Sequence, residues 1–216
     1  MLFRSVVDPS GLPLIEEIAD KLENLKVVYV TGEKSDVPDK VGNIDAEPFD
    51  SLSEFSSENP NVEVLISDKE RCMFTSGTTG MPKGVVREHG GVVLTVRAYL
   101  QQQGIRSEDT MMSVLSLGHA NAQAMCLFSA IGAGATAVFF PRFSASNFFK
   151  WAHDCGATIT NFLGAVSEYL WSSKPSEYDQ KHNIRFVLAG PAPKNLKEFE
   201  KRFSLKIIEG YGSTEM

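Results

Sequence analysis

The sequence predicts an α/β fold, in which alternating βα units form mostly parallel sheets with flanking helices. Two features indicate this class. Short apolar, β-branched runs alternate with longer segments whose apolar residues recur at helical spacing. Glycines and hydroxyl side chains recur where the predicted strands end. Because parallel βαβ units bind ligands at the carboxyl ends of their strands, we expect the functional residues at that edge.

The first third of the chain contains one αβ unit and a long connection. Apolar side chains recur at helical spacing over residues 13–25, and the β-branched run 26–30 follows as a strand. Residues 31–61 are polar and contain three prolines. We therefore expect an irregular connection there, with one helical turn near 52–56.

The rest of the chain alternates between helices and strands. Two short apolar runs, 72–74 and 84–87, flank a glycine-rich segment, and we expect them to form a hairpin. The predicted helices after it span 91–103, 123–131, 144–155, 165–171 and 194–203. The predicted strands span 111–115, 135–140, 157–161, 184–189 and 206–209. Ser144 or Ser146 is the expected N-cap of the helix at 144–155.

Composition excludes several classes. The 216 residues are 43% hydrophobic and 22% charged, which is typical of a globular chain rather than a disordered one. A net charge of −6 disfavours nucleic acid as a partner. Cys72, Cys126 and Cys155 are widely spaced, which favours reduced thiols and a cytoplasmic location. No segment approaches the ~18 apolar residues of a membrane helix.

The segment 75–84 reads Thr-Ser-Gly-Thr-Thr-Gly-Met-Pro-Lys-Gly and is suited to phosphate. Glycines bring backbone N–H groups close to an anion, hydroxyls add donors, and Lys83 adds positive charge. The expected contributors are Thr75, Ser76, Gly77, Thr78, Thr79, Gly80 and Lys83. A P-loop needs glycine before its lysine and serine or threonine after it, whereas this chain has Pro82 and Gly84. A solvent-exposed turn is the plainer alternative.

Together with two later motifs, this string resembles the phosphate-binding signature of the adenylate-forming superfamily, which includes acyl- and aryl-CoA ligases, luciferases and the adenylation domains of peptide synthetases. One motif is 209–216, Glu-Gly-Tyr-Gly-Ser-Thr-Glu-Met; the other is 188–194, Leu-Ala-Gly-Pro-Ala-Pro-Lys. The resemblance implies nucleotide contacts from Gly190, Pro191, Ala192, Glu209, Gly210, Tyr211, Gly212 and Thr214. It also implies that Tyr211 stacks on the purine, that Thr214 bonds the α-phosphate, and that Glu215 and Thr75 hold Mg²⁺.

The resemblance suggests further roles on the acyl side. Acyl-CoA ligases of this superfamily commonly carry a histidine or an aromatic residue where His119 stands, near the reacting carboxylate. They often place a basic residue where Arg142 stands, near the CoA phosphates. A histidine satisfied within the fold and a solvated arginine are the alternatives. Phe162 and Leu163 are candidates for the acyl pocket, whereas the aromatic helix at 144–155 is expected to pack in the core.

The activity implied by the resemblance is an ATP-dependent acyl-CoA ligase of fatty acid metabolism, with Lys83, His119, Thr214 and Glu215 as its catalytic residues. Its partners would be a small-molecule carboxylate, ATP and CoA, with Mg²⁺ as the metal. An adenylation domain that loads a carrier protein and a non-catalytic nucleotide-binding remnant are the alternatives. We expect residues 1–216 to form a partial AMP-binding domain without the small C-terminal domain, and to have little or no CoA-ligase activity alone.

Overall fold

The computed structural model describes residues 3–75 and 80–215. It confirms the predicted α/β class, since parallel strands alternate with helices through most of the chain. The chain divides into two compact units, Met1–Val62 and Glu63–Met216. Buried apolar clusters lie within each unit, one in the first and two in the second.

The first unit is a four-stranded sheet with one short helix. Its elements are β1 (Phe3–Val7), α1 (Leu12–Ile18), β2 (Leu25–Val30), β3 (Lys40–Val41) and β4 (Ile44–Pro48). The spatial order is β1-β2-β4-β3, and only β3 is antiparallel to its neighbour. Apolar side chains of α1 and of the strands pack together around Val28, Val30 and Ile44, which are buried. Burial of these side chains holds the helix against the sheet.

The predictions for this unit were partly right. The strand expected at 26–30 is confirmed as β2, and the helix expected at 13–25 is confirmed in part, because α1 ends at Ile18 and only a 3₁₀ turn, Ala19–Lys21, follows it. The helical turn expected near 52–56 is confirmed as a 3₁₀ helix, Phe49–Glu54. The irregular connection expected over 31–61 was wrong in part, because β3 and β4 lie inside it. The pattern also did not reveal β1, which pairs with β2 although all five of its residues are exposed or half-buried.

The second unit contains a hairpin and a five-stranded parallel sheet. The hairpin strands are β5 (Lys69–Thr75) and β6 (Lys83–Glu88). The sheet strands are β7 (Thr110–Ser113), β8 (Thr136–Phe139), β9 (Ile159–Leu163), β10 (Phe186–Gly190) and β11 (Ile207–Glu209). The main helices are α2 (His89–Gln103), α3 (Ala120–Ala122), α4 (Ser129–Ala133), α5 (Phe148–Asp154), α6 (Gly164–Ser172) and α7 (Leu196–Phe203). A π-helical turn, Gln123–Phe128, joins α3 to α4.

The hairpin prediction is confirmed. Strands β5 and β6 pair antiparallel, with Thr75 opposite Lys83. Met73 on β5 is 7% exposed and anchors the hairpin in the unit. The Arg71 guanidinium lies 5.2 Å from the ring centroid of Phe128, in the π-helical turn. These contacts fix the strand ends between which the glycine-rich segment runs.

The five-stranded sheet separates two apolar clusters. On one face, α5, α6 and α7 pack against Met112, Phe162 and Val187. On the other face, α2 and the helical segment 120–133 pack against Met111, Ile159 and Phe186. Because neighbouring residues of a strand point to opposite faces, β7, β9, β10 and β11 each contribute to both clusters. Both faces are covered, as expected for a parallel sheet.

The helix predicted at 144–155 begins later than expected. The observed α5 begins at Phe148, and its N-cap position is Asn147 rather than Ser144 or Ser146. The Asn147 amide donates to the Ser144 hydroxyl at 3.1 Å, and the two serine hydroxyls lie 3.3 Å apart. These side chains bond one another in the preceding turn, so neither serine caps the helix.

A buried ion pair joins three strands at the amino edge of the sheet. Asp109 is 4% exposed, and its carboxylate accepts from Arg185 Nη2 at 2.9 Å and from Thr158 Oγ1 at 2.7 Å. Burial raises the pKa of this carboxyl, but the hydrogen bonds from Arg185 and Thr158 outweigh this effect, and the net pKa is lowered.

None of the helices in residues 3–75 and 80–215 has the length and apolar character of a membrane-spanning helix.

Candidate functional site

The strand order fixes where a ligand can bind. The order β11-β10-β9-β7-β8 means that the chain passes from β7 out to β8 and then returns across β7 to β9. This reversal is a topological switch point, and ligands of open parallel sheets bind at the carboxyl ends of the strands beside it. The segments that leave β7, β9, β10 and β11 therefore share one edge. All the predicted site residues beyond the hairpin lie in the last residues of these strands or in the segments that follow them or β8.

The phosphate segment begins and ends on paired strands. Thr75 is the last residue of β5 and is half-buried, whereas Lys83 is the first residue of β6 and is exposed. Gly80 is exposed, and a Cβ there would contact nothing within 4 Å. The predicted contributors Ser76, Gly77, Thr78 and Thr79 lie outside the described residues.

The segments after β10 and β11 are in direct contact. The backbone N–H of Ala192 donates to Glu209 Oε1 at 3.0 Å, and the Gly210 N–H donates to the Ala189 carbonyl at 2.9 Å. A Cβ on Gly190 would lie 2.6 Å from the Gly210 carbonyl oxygen, so only glycine permits this approach. The two segments predicted to bind the nucleotide therefore form one continuous backbone surface at the sheet edge.

The terminal segment approaches the hairpin. The Thr214 carbonyl accepts a long hydrogen bond of 3.5 Å from Arg87 Nη1 on β6. Tyr211 is 88% exposed, so the faces of its ring are open to a stacking partner. Glu215 is also exposed. The hydroxyl of Thr75 and the carboxylate of Glu215 are the hard oxygen donors that Mg²⁺ prefers.

His119 lies at the same edge, where the chain leaves β7. It is exposed, and it precedes α3 with an extended backbone (φ −109°, ψ 144°). Gln123 closes this turn, because its Nε2 donates to the Leu117 carbonyl at 2.6 Å and its backbone N–H donates to the His119 carbonyl at 3.3 Å. Arg142, also exposed, follows β8. The structure thus places both residues at the carboxyl edge, in the segments that follow the neighbouring strands β7 and β8.

The candidates for the acyl pocket differ in position. Phe162 is fully buried against Phe148 and Phe199, so it belongs to the core and cannot line an open pocket. Leu163 is 48% exposed at the end of β9. The aromatic helix is in the core as predicted, since Phe148 and Phe149 on α5 are buried.

Sequence reasoning missed several residues that shape this edge. Asn161 on β9 is 2% exposed, and its side-chain Nδ2 donates to the Asn121 side-chain oxygen. A Cβ on Gly164 would lie 3.0 Å from Cδ of Pro191, so Gly164 permits close packing under the 190–192 segment. The available signal was Asn161 itself, a polar residue between the apolar strand residues Ile159 and Phe162.

Comparisons with known proteins agree with the α/β fold and with the family that the sequence motifs resemble. A family model described as AMP-binding enzyme matches residues 3–216. The chain is 32% identical to mouse (Mus musculus) long-chain fatty acid transport protein 5 over 97% of this chain and 31% of that protein. It is 34% identical to crotonobetaine/carnitine–CoA ligase from Shigella flexneri serotype 5b (strain 8401), over 68% of this chain and 29% of that enzyme.

A solved structure has the same fold. The anthranilate CoA ligase AuaEII, in complex with anthranoyl-AMP, superposes with a TM-score of 0.85 at 23% identity. The superposition covers 98% of this chain and 41% of that one. The chain spans about a third of the length of the curated relatives it matches.

Proposed function

Because this chain belongs to the AMP-binding enzyme family, we propose that it carries the nucleotide-binding core of an acid–thiol ligase, which activates a carboxylate with ATP and transfers the acyl group to CoA. The curated relatives that are about a third identical to it over the aligned residues include a CoA ligase. The substrate is a small-molecule carboxylate, and fatty acid metabolism is the proposed setting. A cytoplasmic location is also a proposal, supported by three free thiols.

One observation carries this proposal. The segments after β10 and β11 contact each other through the Ala192–Glu209 hydrogen bond and through the close approach of Gly190 to the Gly210 carbonyl. Exposed Tyr211 follows directly. A flat backbone surface beside an open aromatic ring suits a purine base. The base can stack on the aromatic ring, and the glycine-containing backbone can approach the base closely.

The remaining residues suit the triphosphate. Lys83 is exposed at the start of β6, opposite Thr75, and Arg87 of the same strand reaches the segment that carries Thr214 and Glu215. In the proposed first step, a carboxylate oxygen attacks the α-phosphorus of ATP, the bond from that phosphorus to the bridging oxygen breaks, and pyrophosphate leaves. Two anions must approach each other, so Lys83 and backbone N–H groups would stabilise the charge that moves onto pyrophosphate. Magnesium held by the oxygens of Thr75 and Glu215 would supply further positive charge.

The second step transfers the acyl group. The CoA sulfur attacks the acyl carbon, the bond to the AMP oxygen breaks, and the thiol proton goes to water. His119 lies at the carboxyl edge after β7, where a neutral imidazole would donate a hydrogen bond to the carboxylate before it reacts. Arg142, after β8, would attract the CoA phosphates.

Calorimetric titration of the 216-residue chain with Mg·ATP tests the nucleotide site. We expect a binding heat in the wild type and affinity at least about 10-fold weaker in Lys83→Ala and in Glu215→Ala, because each removes a charge that faces the triphosphate. The matched controls are Lys197→Ala and Glu198→Ala, which remove the same charges from exposed positions on α7. The controls should bind as the wild type does. Unchanged affinity in both site variants would contradict the assignment, and a wild type without binding would contradict the proposed nucleotide core.

A further inference from the structure

One face of the parallel sheet changes from apolar to polar as it approaches the carboxyl edge. Met111, Ile159 and Phe186 are buried in the same apolar cluster on this face. Two residues further along β7 and β9, Ser113 and Asn161 are paired in register, and they are 0% and 2% exposed. Buried polar side chains are costly unless they are hydrogen-bonded, so these two need partners.

Both residues have partners at this edge. The Ser113 hydroxyl accepts from the Leu115 N–H at 3.2 Å, within its own turn. Asn161 instead reaches a different element, because its Nδ2 donates to the side-chain oxygen of Asn121 in α3. The hydrogen bond between Asn161 and Asn121 therefore joins β9 to the beginning of the helix that follows β7, across the topological switch point.

This bond has a consequence for His119, two residues before Asn121. The turn around His119 is closed by the local bonds of Gln123, which hold its shape but do not attach it to the sheet. The Gln123 side-chain oxygen is buried and has no hydrogen-bond partner in the described part of the chain, so it adds no second attachment. The Asn121–Asn161 bond attaches the beginning of α3 directly to β9, in addition to the apolar packing of the rest of the helical segment 120–133 against the sheet.

We propose that Asn161, acting through Asn121, is a positioning residue that holds His119 at the carboxyl edge, where the acyl group of the substrate meets the nucleotide. This proposal rests on the proposed ligase function. It assigns a role in acyl recognition to the amide pair formed by buried Asn161 and half-buried Asn121. A small displacement of a positioned group can reduce its contribution to binding or rate by on the order of 10-fold to 100-fold.

The first experiment needs no ligand. Amide hydrogen exchange is measured on the wild type, Asn161→Ala and Asn121→Ala, with Thr160→Val as matched control. Thr160 is 1% exposed on the opposite face of β9, and its hydroxyl donates to the Met112 carbonyl at 2.8 Å, so the control also loses a buried hydrogen bond. We expect faster exchange at residues 119–123 in both asparagine variants and no change there in the control.

The second experiment separates acyl recognition from nucleotide binding. Affinities are measured for AMP and for sulfamoyl-adenosine analogues of acyl-adenylates that carry acetyl, hexanoyl or benzoyl groups. In both alanine variants we expect acyl-analogue affinity to fall about 10-fold or more, while AMP affinity stays within about twofold. Asn121→Asp keeps an acceptor for Asn161 Nδ2 and should restore both the exchange pattern and the acyl-analogue affinity.

The outcomes distinguish the two proposals. Equal weakening of AMP and acyl-analogue binding, or unchanged exchange at residues 119–123, would overturn the positioning role. If the wild type binds neither AMP nor the analogues, the nucleotide proposal fails, and the exchange data alone decide whether the pair fixes the His119 turn. Asn121 is half-buried, so Asn121→Ala provides the answer if Asn161→Ala does not fold.

Discussion

Removing the Asp109 carboxylate should destabilise the second unit strongly. Besides the bonds from Arg185 Nη2 and Thr158, this carboxylate accepts from Arg185 Nε at 3.2 Å and from the Arg106 N–H at 3.0 Å. The residues lie just before β7, β9 and β10, so the carboxylate connects the amino ends of three strands. Asp109→Ala would leave the Arg106 N–H and the Thr158 hydroxyl without this acceptor and the guanidinium without its counter-charge.

The magnitude follows from the burial of the two partners. Breaking a buried ion pair by removing one partner costs about 3 to 5 kcal/mol. Arg185 is 35% exposed and keeps its bonds to the carbonyls of Gln103 and Gly104 at 3.3 and 3.1 Å, so water and backbone compensate part of the loss. We therefore expect the free energy of unfolding to fall by about 3 kcal/mol, at the low end of this range. For a unit of this size, that corresponds to a fall in Tm of about 6 to 12 °C.

Urea denaturation at pH 7, followed by circular dichroism, measures the change in the free energy of unfolding. The control is Asp154→Ala, which breaks an exposed ion pair with Lys150 and should destabilise the chain far less than Asp109→Ala does, because water screens an exposed pair. A loss below about 1 kcal/mol in Asp109→Ala would refute the reasoning. The pH dependence gives a second check, because the folded pKa of Asp109 is below its ordinary 3.8. Its stabilisation is complete well above that pH and is lost as the pH falls through the folded pKa, so Asp109→Asn and the wild type should converge in acid.

Two further predictions concern the sheet edge and the thiols. Gly190→Ala should weaken nucleotide binding and reduce stability by about 1 to 3 kcal/mol, because its Cβ would meet the Gly210 carbonyl at 2.6 Å; titration and denaturation measure both effects. Gly91 lies in α2 with open space around an added methyl group, so Gly91→Ala should instead stabilise the chain by about 0.5 to 1 kcal/mol. Equal losses of stability in both variants would show that the clash with the Gly210 carbonyl is not the cause. Burial raises the pKa of the Cys126 thiol to about 12, whereas Cys72 is exposed. Treatment of the native chain with iodoacetamide at pH 8 should therefore modify Cys72 and leave Cys126 unmodified, which mass spectrometry would detect. Modification of Cys126 at the rate of Cys72 would show that the core opens readily.

Much of the second unit follows from local patterns. The hairpin at 72–87 was predicted because apolar runs flank a glycine-rich segment, and β5 and β6 confirm it. The alternation after it was predicted in the correct order, with boundaries shifted by a few residues. The largest shift is at α5, where side chains of Ser144 and Asn147 bond each other before the helix begins. A capping pattern cannot reveal which of several polar side chains the turn will use.

The first unit was harder to predict. Strand β3 has two residues, and β4 ends at a proline, so neither shows a clear alternation of apolar and polar residues. What makes β4 a strand is its parallel pairing with β2, whose partner residues lie about 18 positions earlier, from Val27 opposite Asp45 to Val30 opposite Pro48. Pairing between distant residues outweighs weak local preference.

The sequence by itself determined the class of the fold, the order of its elements and the motifs that a nucleotide would meet, because each depends on residues close together in the chain. Tertiary structure alone decided which strands are neighbours, that Gly190 lies against the Gly210 carbonyl, and that Asn161 bonds Asn121. These contacts join residues separated by 20 and 40 positions. Their geometry depends on the order and register of the strands, which no local pattern encodes.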